Sequence, residues 1–234
     1  MQTHLSAFLS DRWVALYRSY LPTAQVLWDD HSLETSQFGV ESSTTRGIPT
    51  GSRGANGPQE MYRAWAGPQL AAMLNDSTLP ARLDTQAAFD DWHASLAASL
   101  AVHWDVGTAG AMPLSIAHRF KLLDLFVRWL RIQASRAPAL AARCEQFGHI
   151  PLDRKSLHIL SETFSGIGLA GPFSMGDVHT EAAYRFYQML AREVCAVAGG
   201  SPLLFDVFCW NHPEAHALYN KKPARRFMPV PQMA

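Results

Sequence analysis

The chain of 234 residues has only three cysteines, Cys144, Cys195 and Cys209, far apart and with no C-x-x-C. An odd, scattered set argues against a disulfide framework or a zinc ribbon and fits a reducing compartment. Neither charge is in excess, since 20 basic and 20 acidic residues cancel. Affinity for nucleic acid rests on neutralised phosphates, so any such surface here has to be a local patch. No stretch of 18 residues is both apolar and charge-free, which argues against a membrane span. The opening Met1-Gln2-Thr3-His4 has no basic stretch followed by an apolar run, so the expectation is a cytoplasmic protein without a targeting segment. G-x-x-x-x-G-K-[ST], G-x-G-x-x-G, H-E-x-x-H and G-x-S-x-G are all missing. There is no internal repeat and no alternating run long enough for a sheet.

What the chain does have is apolar mass. Hydrophobic residues make up 48% and charged residues 17%, with seven Trp and twelve Phe. That composition belongs to a packed globule with a large core or a stacking surface. The apolar residues recur at three- and four-residue steps, which predicts an all-α, compact multi-helix domain. Leu5, Phe8, Leu9, Trp13, Leu16, Tyr17 and Tyr20 predict a first helix over 5–21, ended by Pro22. Further helices are predicted over 60–75 and 84–104, the latter capped by Asp84 and striped by Phe89, Trp92, Leu96, Leu100 and Trp104. The longest periodic segment is 114–134. Shorter helices follow over 138–147, with Gly148 past its end, and from Asp153 to Thr163. Thr180 is placed to cap a helix over 181–198 that Gly199-Gly200 ends. Leu203 to Trp210 is apolar, and periodicity does not separate strand from helix at that length.

These elements divide the chain into an N-terminal helix (1–28), a Gly/Ser/Thr-rich loop (29–59), a helical core (60–220) and a basic irregular tail (221–234), forming one domain overall. The loop has few apolar anchors and reads either as an insertion or as a segment that contacts a ligand or DNA. A second Gly-rich loop spans Gly166 to Gly176. His212 and His216, four apart, would share a face if they lay on one helix, but no carboxylate accompanies them. The reading is that no metal and no cofactor is required.

Two segments carry the chemistry-bearing residues. His118-Arg119-Phe120-Lys121-Leu122-Leu123-Asp124-Leu125-Phe126 sets a Lys in an apolar helix. His149-Ile150-Pro151-Leu152-Asp153-Arg154-Lys155-Ser156-Leu157 brings an Asp to a helix start through an Ile-Pro-Leu lead-in. Over about residues 106–210 these segments resemble the helix-hairpin-helix DNA glycosylase superfamily, particularly its 8-oxoguanine glycosylase branch. Tyr184-Arg185-Phe186-Tyr187 and Phe205-Asp206-Val207-Phe208-Cys209-Trp210 look like its closing helices. Gly107-Thr108-Ala109-Gly110 followed by Pro113 stands where the family has a Gly-hydrophobic-Gly hairpin, and Lys121 and Asp153 are 32 residues apart. A second register, Gly166-Ile167-Gly168 with Asp177, leaves too little chain for the intervening helix.

The resemblance implies Lys121 as nucleophile and Asp153 as the carboxylate that stabilises positive charge on the departing sugar. It implies DNA as partner and a base flipped into an aromatic pocket, for which Trp129, Phe164, Phe173, Phe208 and Trp210 are candidates. His118, Arg119, Arg154 and Lys155 are the candidate DNA contacts. Plain readings stand beside this. Lys121, Asp124, Arg128 and Arg131 step as a solvated polar stripe, with Asp124 as the partner of Lys121. Asp153 has a sufficient role as an N-cap. Three functions follow: a glycosylase, with lyase chemistry through Lys121; a non-catalytic DNA- or protein-binding module on the same fold; and a helical adaptor with an aromatic interface.

Overall fold

Hydroxyl-bearing residues at helix starts organise the chain. Thr85, Ser115, Thr180 and Ser201 each accept a hydrogen bond from the backbone N–H three residues on, and Asp153 accepts from those two and three residues on. Each satisfies orphan donors of a first turn. The computed structural model describes residues 5–30, 36–45, 47–48, 57–110, 112–133, 135–167, 169 and 174–220, with residues 219 and 220 as backbone alone. Among them are ten α-helices and no strand: α1 (Asp11–Asp29), α2 (Pro58–Asn75), α3 (Leu79–Arg82), α4 (Gln86–Gly107), α5 (Ile116–Trp129), α6 (Pro138–Phe147), α7 (Arg154–Thr163), α8 (Glu181–Ala198), α9 (Pro202–Asn211) and α10 (Pro213–Asn220). No single helix among the described residues is long and apolar enough to cross a membrane.

Several expectations change. Pro22 does not end the first helix; α1 runs through it to Asp29. Pro22 removes one backbone donor, but Ala24 and Trp28 beyond it are buried and anchor the last turns. Leu5–Phe8 is a separate 3₁₀ turn. The cap of α4 is Thr85, not Asp84. Leu203 to Trp210 is helical: Ser201 caps α9, and Pro202, whose missing N–H costs nothing at N1, starts it. Thr180 and a left-handed Gly199 bound α8 as read from sequence.

Helix α5 is the axis of the molecule. Phe120, every residue from Leu122 to Val127, and Trp129 are buried. Helices α4, α6 and α8 lie against it. The solvated stripe expected of Asp124 is therefore wrong, because Asp124 is wholly buried. The described part of the 29–59 loop is also anchored. Phe38 packs edge-on to Phe126 and Trp129, and its carbonyl accepts from the Tyr62 hydroxyl at 2.7 Å. Gly39 (φ 75°) lies so close to α5 that a Cβ would sit 2.4 Å from the Leu125 carbonyl oxygen. Residues 31–35, 46, 49–56, 168, 170–173 and the tail 221–234 lie outside the described residues.

Candidate functional site

The segment after Gly148 is extended and held to α8. Gln188 accepts from the Ile150 N–H at 3.0 Å and donates to the Ile150 carbonyl at 2.8 Å. This delivers Asp153 to the start of α7. There its Oδ1 accepts from the Lys155 and Ser156 N–H groups at 2.8 and 3.0 Å, while Ser156 Oγ accepts from the Asp153 N–H at 2.8 Å. Asp153 is an N-cap, as its plain reading requires, and only 7% of it is exposed.

Lys121 lines a crevice with Phe120, Leu152, Met175, Val178 and Tyr184. The rings of Phe120 and Tyr184 stack at 3.9 Å and form its wall. It is shallow and encloses no space for even a water-sized group, where ordinary ligand pockets offer roughly 300–1,000 Å³.

One buried carboxyl had no role in the sequence reading. Asp206 on α9 is 1% exposed. Its Oδ2 accepts from Arg128 Nη1 at 2.7 Å, and its Oδ1 is buried without a hydrogen-bond partner. Burial is the main cause that raises the Asp206 carboxyl; Arg128 and Lys121 lower it and the charge on Asp153 raises it, leaving it at about 6. Arg128 on α5 thus holds a buried carboxyl on α9.

The other nominated residues divide. Arg119 pairs with Glu181 and stacks over Phe120. His118 is half-buried, its Nδ1 2.8 Å from Ser115 Oγ, and burial together with the charge of Lys121 lowers its pKa. Lys155 is largely buried with Nζ 3.8 Å from the Trp210 ring centroid, and Trp210 is 44% exposed. Arg154 is exposed. Trp129 packs in the core against Phe38 and Phe126, Phe208 against Trp13, Tyr17 and Phe205, and Phe164 is wholly buried. These three do not line the Lys121 crevice, and Phe173 lies outside the described residues. His212 ends α9 and His216 lies on α10, so the two do not share a helix. All three cysteines are buried free thiols.

A second polar constellation lies behind the crevice wall. His93 Nε2 is 2.8 Å from Asp124 Oδ1, to which the Tyr184 hydroxyl also donates at 2.8 Å. His149 Nδ1 lies 2.7 Å from the Tyr184 oxygen, and His149 Nε2 lies 2.8 Å from Asp90 Oδ1. Arg192 donates to both Asp90 oxygens, at 2.7 and 3.1 Å. His93, Asp124, His149 and Tyr184 are all buried. Burial, the neighbouring His93 and Arg192 push the His149 imidazole down to about 3 against the pull of Asp90. Burial raises the Asp124 carboxyl, opposed by His93 and Tyr184. Burial works to raise Asp90 as well, but His149 and Arg192 overcome it and hold that carboxyl well below its usual range. Sequence reasoning missed this set because its members come from α4, α5, α8 and the 148–153 segment, with no spacing to connect them.

No family model, no curated protein and no solved structure matches this chain.

Proposed function

We propose that this protein is a helical DNA glycosylase-like enzyme that excises a damaged or modified base through Lys121 and Asp153. The observation that carries the reading is the crevice in which Lys121 stands against the stacked rings of Phe120 and Tyr184, with Leu152, the residue before Asp153, in the same lining. In the proposed reaction the neutral Lys121 amine attacks C1′ of the extruded nucleotide. The C1′–N bond breaks, and the base leaves with the bonding pair and takes up a proton. Asp153 stabilises the positive charge that develops at the sugar. The attached nitrogen then loses its protons to water while the C1′–O4′ bond breaks with its electron pair to O4′, which takes up a proton, giving the ring-opened imine; loss of a C2′ proton then allows the 3′ phosphate to be eliminated. The apolar walls from Phe120, Leu152, Val178 and Tyr184 keep the Lys121 side chain in a crevice poor in competing polar groups.

Borohydride trapping on duplexes with modified bases or an abasic site tests this. A covalent adduct in wild type that is lost in Lys121→Ala is expected. Asp153→Asn keeps an oxygen at the helix cap, so it should remain folded and lose base release, whereas Asp153→Ala also loses about 1 kcal/mol of stability. Base release undiminished in both Lys121→Ala and Asp153→Asn would refute the assignment.

One observation favours the alternative of a non-catalytic module that binds DNA or protein. The crevice is small, and Arg119 and Lys155 are both engaged within the chain. DNA binding that survives Lys121→Ala, with no turnover on any duplex, would select it. In that case affinity should fall as salt rises.

A further inference from the structure

The buried cluster behind Tyr184 has the composition of a ligand shell. His93, Asp124 and His149 each offer one donor atom, and these atoms lie within 4.8 Å of one another. We propose that His93, Asp124 and His149 bind one divalent transition-metal ion of the zinc class, with the Tyr184 hydroxyl as the fourth donor. The inference is independent of the glycosylase reading.

Four observations carry it. The donor types, two imidazoles and a carboxylate, suit zinc and its neighbours. Asp124 Oδ2 is a wholly buried carboxylate oxygen with no hydrogen-bond partner, and an ion would satisfy it where no described residue does. His149 already has the outer partner of a metal-bound histidine. Asp90 lies 2.8 Å from its Nε2, and Arg192 Nη2, which can only donate, lies 2.6 Å from the same nitrogen; loading an ion therefore moves the ring proton from Nδ1 to Nε2, where Asp90 accepts it and Arg192 is left to Asp90 alone, freeing the Nδ1 lone pair for the metal. Finally, the donors are held on α4, α5 and α8 and on the segment that Gln188 pins, which presents them on a rigid frame.

The charge count is compatible. Two neutral imidazoles and one carboxylate leave a divalent ion with one net positive charge, and Asp90 lies just outside while Arg192 is turned onto Asp90. Without an ion the donors hydrogen-bond to one another at 2.7–2.8 Å. Zinc–ligand bonds of about 2.0–2.2 Å place tetrahedral donors roughly 3.3 Å apart. Loading therefore replaces these hydrogen bonds and spreads the donors by about half an ångström. Because the Tyr184 ring is a wall of the Lys121 crevice, an ion here would also fix that wall.

The test uses the whole chain, stripped with a chelator and titrated with Zn(II) and, separately, Co(II). The expected result is one ion per chain by elemental analysis, a rise in Tm, and the intense visible absorption of four-coordinate Co(II). Stoichiometry should be unchanged in His216→Ala, which controls for surface histidine, and lost in Asp124→Asn and His93→Gln. Failure of wild type to retain an ion overturns the proposal, as does the weak spectrum of six-coordinate Co(II). Full uptake by a folded Asp124→Asn chain overturns it too. Should both cluster variants fail to fold, the wild-type stoichiometry and Co(II) spectrum decide alone.

Discussion

Asp206 and His149 are buried titratable residues whose effects on stability run in opposite directions with pH. Folding lifts Asp206 from about 3.9 to about 6, so the native state favours its protonated form. That contribution is complete below about pH 4 and is lost as pH rises through 6. Folding lowers His149 from about 6.5 to about 3. Its contribution is present above 6.5 and is lost as pH falls towards 3. Between pH 4 and 6 the two offset each other in the wild type. Asp206→Asn removes one of them, so acidification from 6 to 4 should weaken the variant more steeply. Relative to the wild type, the variant should gain stability as pH rises from 4 to 8, since the penalty of an ionised buried carboxylate is gone. Urea unfolding at pH 4, 6 and 8 checks both statements, and parallel pH profiles for the two proteins would contradict them.

Two element junctions show where backbone chemistry sets stability. Pro22 sits mid-way along α1, exposed, in a helix that continues past it. Pro22→Ala restores the missing backbone donor and relieves the ring clash, at some cost from a freer unfolded chain. A gain of about 1–2 kcal/mol is expected in chemical denaturation. Gly200, between α8 and α9, behaves oppositely. A Cβ there would lie 2.2 Å from the Tyr17 hydroxyl and 2.7 Å from Leu21. That hydroxyl donates to the Ser201 carbonyl at 2.8 Å, and the Tyr17 ring is fully buried between α1 and α9. Gly200→Ala should therefore cost about 1–3 kcal/mol and lower Tm.

Over the whole molecule, one buried apolar cluster runs from Trp13 in α1 to Ala215 in α10. Trp65 and Trp104 lie deep within it. A core shared by all the long helices predicts that they unfold together. Tryptophan fluorescence and far-ultraviolet circular dichroism should give superimposable thermal transitions. A separate early transition of α1 and α2 would instead reveal two folding units.

Properties that depend on near neighbours were legible in the residues alone. Helical period, the cap at Thr180, the left-handed stop at Gly199 and the capping position of Asp153 each depend on four or five adjacent residues, and pattern suffices to place them. Reading failed where a distant surface overrides a local rule. Pro22 should end a helix, yet the burial of Ala24 and Trp28 carries it on. Asp124 steps with Lys121 and Arg128 as if solvated, yet α5 is enclosed by its neighbours and Asp124 turns towards His93 and Tyr184. Phe164 and Phe208 have the right chemistry for a base pocket, but helix packing places them in the core. The Asp206 centre and the His93–Asp124–His149 cluster depend on side chains up to about a hundred residues apart in the chain. Only packing several helices around α5 brings such groups within a few ångströms, and no local periodicity encodes that encounter.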